Sequence, residues 1–91
     1  MKNVSGSIAV GGTAQTLDGA FRSIIIQNLD TSENLYVRPD GGTASVSDGA
    51  SILIPPLGYW ESPATMFGGA TTAISLVAAT TGHKFFAEWL Y

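Results

Sequence analysis

The chain has 91 residues, of which 45% are hydrophobic and only 12% charged, with a formal net charge of −3 at neutral pH. That makes a single domain, residues 1–91, too apolar to be disordered. It has no basic patch for nucleic acid, since Lys2, Arg22, Arg38 and Lys84 are scattered. Cysteine is absent, which excludes disulfides and thiolate metal sites and leaves oligomerisation as the substitute staple for a small domain.

In chain order, residues 1–6 are expected as a flexible N-terminal arm. No apolar run of signal-peptide length occurs here, and no segment anywhere approaches the ~20 apolar residues that span a bilayer. The expectation is synthesis in the cytoplasm without an export signal and without a membrane partner. Ile8 and Val10 alternate with Ser7 and Ala9 before a turn at Gly11-Gly12, and Ala14–Leu17 is a weaker strand ended by Asp18-Gly19.

The central pair follows. In Ser23–Asn28, Ile24 and Ile26 share one face, while Ile25 lies on the other with Ser23 and Gln27. A strand apolar on both faces belongs at a sandwich centre or under a partner. The polar residues 28–34 favour a turn, after which Leu35 and Val37 alternate with Tyr36 and Arg38.

Pro39 and Asp40-Gly41-Gly42 close that strand, and Asp48-Gly49 marks another turn. Ser51–Ile54 is a brief strand stopped by Pro55-Pro56, since proline offers no N–H to a ladder. Tyr59-Trp60-Glu61 is a short strand and residues 62–72, with Gly68-Gly69, are a loop. Ala73–Ala79 and Lys84–Tyr91 are the last strands, separated by a turn at Gly82. The recurring Gly-Gly pairs reflect turn chemistry rather than an internal repeat.

No window holds a helical apolar stripe, and turn signals fall roughly every 8–12 residues. The expected fold is all-β: an antiparallel β-sandwich or jelly-roll-like small barrel. Its expected core is Ile24, Ile26, Leu35, Val37, Ile74 and Leu76.

Catalytic chemistry has little to work with. His83, the only histidine, follows Gly82 and reads as a solvated turn residue, and Asp18, Asp30, Glu33, Asp40 and Asp48 all fall in predicted turns. Asp30, Ser32 and Asn34 alternate like calcium-loop ligands, but the glycine and distal glutamate of such a loop are missing. The Gly-Gly turns lack the ending of a phosphate loop. No catalytic residue, cofactor or metal site is expected, and the chain reads as a non-enzyme.

The aromatic residues carry more. In the last strand Phe85, Ala87, Trp89 and Tyr91 face one way, and Lys84, Phe86, Glu88 and Leu90 the other. One face is core, which leaves Phe86 and Leu90 over; with Ile25 and the terminal Tyr91 they are the candidate subunit interface. Tyr59, Trp60 and Trp89 are the candidate aromatic contact or ligand surface.

The order of features resembles a group of small all-β structural proteins of tailed bacteriophages. The matching pieces are Arg22–Asn28, Leu35-Tyr36-Val37, Ile52–Gly58 with Trp60-Glu61, Ala73–Ala78 and Phe85–Trp89. Pro55-Pro56-Leu57-Gly58 makes a longer turn than the family-like Pro-Gly-Glu. The resemblance implies a virion component without enzymatic activity: a decoration or cement protein on a capsid, or a fibre-type domain. It implies a homo-oligomer, a trimer as first guess, with the major capsid protein or another virion protein as partner. The rival expectation is a small carbohydrate- or receptor-binding module that stacks ligands on Trp60 and Trp89.

Overall fold

The two apolar runs at the middle of the sequence end in different sheets and meet across one core. The computed structural model describes residues 2–21, 23–47, 49–62 and 71–90. Arg22, Asp48, Gly68-Gly69 and Tyr91 therefore lie outside the described residues, as does the side chain of Leu90. The strands are β1 (Lys2–Ser7), β2 (Gln15–Phe21), β3 (Ser23–Asn28), β4 (Leu35–Arg38), β5 (Ile52–Ile54), β6 (Tyr59–Glu61), β7 (Thr71–Val77) and β8 (Lys84–Leu90).

They form two four-stranded sheets of order β1-β8-β3-β6 and β2-β7-β4-β5. Every described pairing is antiparallel. The links β1–β2, β3–β4, β5–β6 and β7–β8 each join strands of the same rank in the two sheets. This is the jelly-roll arrangement of eight strands. The sheets stay separate, with β1, β6, β2 and β5 at their edges, so the expected alternative of a closed barrel is not what forms.

Ile24 and Ile26 of β3, Phe85, Ala87 and Trp89 of β8, Leu35 and Val37 of β4, and Ile74 and Leu76 of β7 fill the space between the sheets, with Ile8 and Ile54. The six residues expected in the core are all buried. β3 lies inside its sheet, between β8 and β6. Residues 74–77 of β7 are buried on both faces, because the chain around Ala44 folds over the outer side. There the backbone N–H of Ala44 donates to Ser75 Oγ at 2.8 Å, and Ala44, Ser75 and Val77 are all buried. The connection 39–51 is held at its start by Arg38 and Asp40, whose Nε and Oδ1 are 2.9 Å apart.

β7 runs Thr71–Val77, two residues earlier at each end than expected, and three other boundaries differ more. From Lys2 onward the expected arm is an edge strand, paired with β8 from Lys2↔Trp89 to Ser7↔Lys84. Ile8 and Val10 lie beyond that strand, where the chain leaves one sheet for the other; Ile8 is buried and Val10 exposed. β2 passes straight through Asp18-Gly19, which produces a register shift against β7 rather than a turn. Asp18 is thus a strand residue and not a turn residue.

β1 packs so closely that Gly6 has no room for a side chain. A methyl group there would lie 2.6 Å from Phe85 Cζ, against the edge of a core ring that cannot move aside cheaply. Gly6→Ala should cost about 1–3 kcal/mol, measured by urea unfolding. Shrinking the ring in the double variant Gly6→Ala/Phe85→Leu should make the added methyl nearly neutral relative to Phe85→Leu alone. An undiminished stability in Gly6→Ala would contradict the β1–β8 register.

Candidate functional site

Asn28 ends β3 in phase with Ile24 and Ile26, so its amide points inward and must find partners there. It is fully buried. Its Nδ2 faces three carbonyl oxygens, those of Glu33 at 2.8 Å, Ile54 at 3.0 Å and Pro55 at 3.1 Å. Carbonyls only accept, so this orientation of the amide is the one consistent with its surroundings. Its Oδ1 accepts the backbone N–H of Asp30 at 2.9 Å and lies 2.7 Å from Nε2 of His83. One side chain thereby joins β3, the 29–34 loop, the end of β5 in the other sheet, and the turn before β8.

Backbone bonds surround this junction. Asn28 N–H donates to Gly58, Leu29 N–H to Lys84 and Leu57 N–H to Asp30. Gly58 N–H closes a turn onto Pro55, with Leu57 at φ 60°. Positive φ at that turn position is glycine territory, and a leucine held there is strained. Leu57 is also 60% exposed, so packing of its own side chain does not explain the conformation.

Within the loop Asp30 acts as a local cap. Its Oδ1 accepts from Ser32 N–H, Ser32 Oγ and Glu33 N–H. The N–H groups of Ser32 and then Glu33 hold the Asp30 carboxyl below the usual carboxylate range. Ser32 therefore donates to Asp30, and the calcium-loop alternation has an ordinary turn as its explanation.

His83 is a correction. It is 2% exposed rather than a solvated turn residue, because its carbonyl accepts the Ile8 N–H and its ring reaches Asn28. Since Asn28 Oδ1 is an acceptor, Nε2 of His83 carries a hydrogen. Nδ1 then points toward Asp30 Oδ2 at 3.9 Å and Glu33 Oε1 at 4.0 Å. Among the described residues Nδ1 has no hydrogen-bond partner. One ligand atom from each of Asp30, Glu33 and His83 lies within 4.8 Å of the others. No metal-ligating group was expected from the sequence, because His83 is distant in the chain from Asp30 and Glu33. The one available signal was Asn28, a polar residue in phase with the core.

The predicted aromatic surface is divided by the fold. Trp89 is in the core, and Trp60 is half-buried against it. Tyr59 is 68% exposed on the opposite face of the sheet. Trp60 and Trp89 are thus not an exposed stacking pair.

Of the predicted interface, Ile25 and Phe86 do share the outer face of their sheet. The register places Gln27 between Tyr59 and Phe86, and Ile25 between Glu61 and Glu88. That face alternates apolar and acidic side chains; it is not a continuous apolar patch.

Comparison with known protein families, curated proteins and solved structures returns no match.

Two substitutions test this junction. Asn28→Ala strands His83 Nε2 and several carbonyls in the interior at roughly 1–3 kcal/mol each. It should cost at least about 3 kcal/mol in urea unfolding, and a loss below about 1 kcal/mol would contradict the described network. Leu57→Gly removes the strain at positive φ and should raise stability by about 1 kcal/mol; a lower melting temperature would contradict it.

Proposed function

We propose that this protein is a non-enzymatic structural subunit of a phage particle, decorating or cementing the capsid surface through protein–protein contacts. The observation that carries the reading is the mixed apolar and acidic outer face at the centre of the β1-β8-β3-β6 sheet. The outer side of β7 at Ser75 and Val77 is buried under the protein's own chain around Ala44, whereas the outer face of the β1-β8-β3-β6 sheet exposes Ile25 and Tyr59 beside a half-buried Phe86. Apolar and aromatic groups interleaved with Glu61 and Glu88 suit a partner surface that offers an apolar patch with basic neighbours.

The phage assignment rests on the resemblance in Arg22–Asn28, Leu35-Tyr36-Val37, Ile52–Gly58 with Trp60-Glu61, Ala73–Ala78 and Phe85–Trp89. Jelly rolls serve as capsid and lectin domains alike, so the architecture alone does not choose between them. The burial of Trp89 and the packing of Trp60 against the core weigh against the carbohydrate-binding alternative. The same open face is the proposed self-association surface, with a trimer as the first guess from the resemblance and the major capsid protein as the further partner.

Mass spectrometry of purified particles should find the protein at high copy number. Ile25→Asp/Phe86→Asp should keep the fold, shift the oligomer to monomer in light scattering, and weaken particle binding at least about tenfold. Absence from particles while the protein is abundant in lysate would overturn the reading, as would unchanged binding by the double variant.

A further inference from the structure

We propose that Asp30, Glu33 and His83 form a binding site for a divalent cation of borderline softness, such as Zn2+. Two acidic residues on a loop would not carry this alone. The independent observation is the histidine. Its side chain is fully buried, and its Nδ1, without a hydrogen-bond partner among the described residues, is aimed at both carboxylates.

The tautomer fixes the chemistry. Asn28 Oδ1 takes the Nε2 hydrogen, so in the neutral ring that a metal requires it is the Nδ1 lone pair that faces Asp30 Oδ2 and Glu33 Oε1. A lone pair and two carboxylates converging beside a buried ring repel each other, and a cation held between them relieves that repulsion. The same pattern, an imidazole whose second nitrogen is held by an amide oxygen, orients histidines that ligate metals.

The distances are compatible with an ion. Ligands bound at about 2.1 Å to one metal stand about 3–4 Å apart, and Nδ1 is already 3.9 and 4.0 Å from the two oxygens. Asp30 and Glu33 are partly exposed, at 27% and 39% of their side chains, so small rotations close the set and leave water to complete the coordination. Asp30 uses Oδ1 for the turn and keeps Oδ2 for the ion. One nitrogen and two carboxylate oxygens favour Zn2+ over Ca2+, which prefers a cage of oxygens. The ion would clamp the 29–34 loop to the turn preceding β8, independently of the proposed particle role.

The chain has a single histidine and no cysteine, so one imidazole signal reports the site without ambiguity. In the full chain, Zn2+ titration followed by nitrogen-15 imidazole NMR and calorimetry should give one site, a shifted Nδ1 resonance and a raised melting temperature. Glu33→Gln, and Asp30→Asn, which retains the capping oxygen, should each fold normally and bind Zn2+ at least about tenfold more weakly. Ca2+ in tenfold excess should not displace Zn2+. The proposal is overturned if Nδ1 does not shift at millimolar Zn2+, if both variants bind as well as the parent, or if Ca2+ displaces Zn2+.

Discussion

A buried amide that must be satisfied organises one end of this sandwich. Asn28 has the periodicity of a core residue and the chemistry of a polar one, and the fold meets both demands by bringing three other segments to it. The cost of leaving such a group unpaired is what ties the loop after β3 to the far sheet. Consequences follow outward from that point. The 29–34 loop is fixed, Asp30 is placed beside His83, and the Pro55–Gly58 turn is drawn against Asp30 through Leu57. The strain at Leu57 has a physical setting there: its N–H is one of the bonds that dock the turn.

The two sheets solve the problem of a second apolar face differently. β7 has Ser75 and Val77 opposite Ile74 and Leu76, and a long connection of the same chain closes over them. β3 has Ile25 opposite Ile24 and Ile26, and there the neighbours across the strands are Glu88 and Glu61. The charges break up the apolar surface without removing it. A sheet face of this kind supports association with a chosen partner better than indiscriminate hydrophobic contact.

Much of the fold was legible in the sequence, for a reason visible in β3 and β4. Alternation in Leu35-Tyr36-Val37 leaves only one register that buries them, and in β3 the polar Ser23 and Gln27 on the Ile25 face mark Ile24 and Ile26 as the inward pair, so core membership follows from pattern. Boundaries were less legible where pairing rather than composition decides. Lys2–Ser7 is polar and glycine-containing, and only the presence of β8 beside it makes it a strand. Asp18-Gly19 has turn chemistry, yet β7 holds it in a sheet. The candidate site was hidden for a related reason. The residues after Gly82 look solvent-facing until the crossing of Ile8 covers His83, and no local spacing announces that the loop after β3 will meet that ring. The sequence leaves Trp60 and Trp89 open between buried contact and stacking surface, because an aromatic residue in a short strand has no sequence mark for which face is covered.

The account stands on the junction at Asn28 behaving as part of the core rather than as surface loops that happen to touch. Native-state hydrogen exchange tests this most directly, through the amides of Ile8, Asn28, Leu29, Leu57, Gly58 and Gly82 that close the junction. They should exchange only with global unfolding, sharing one free energy and one denaturant dependence with the central amides of β3 and β8. Exchange of Leu57, Gly58 and Gly82 through local opening, at much lower free energy while those strands stay protected, would contradict it.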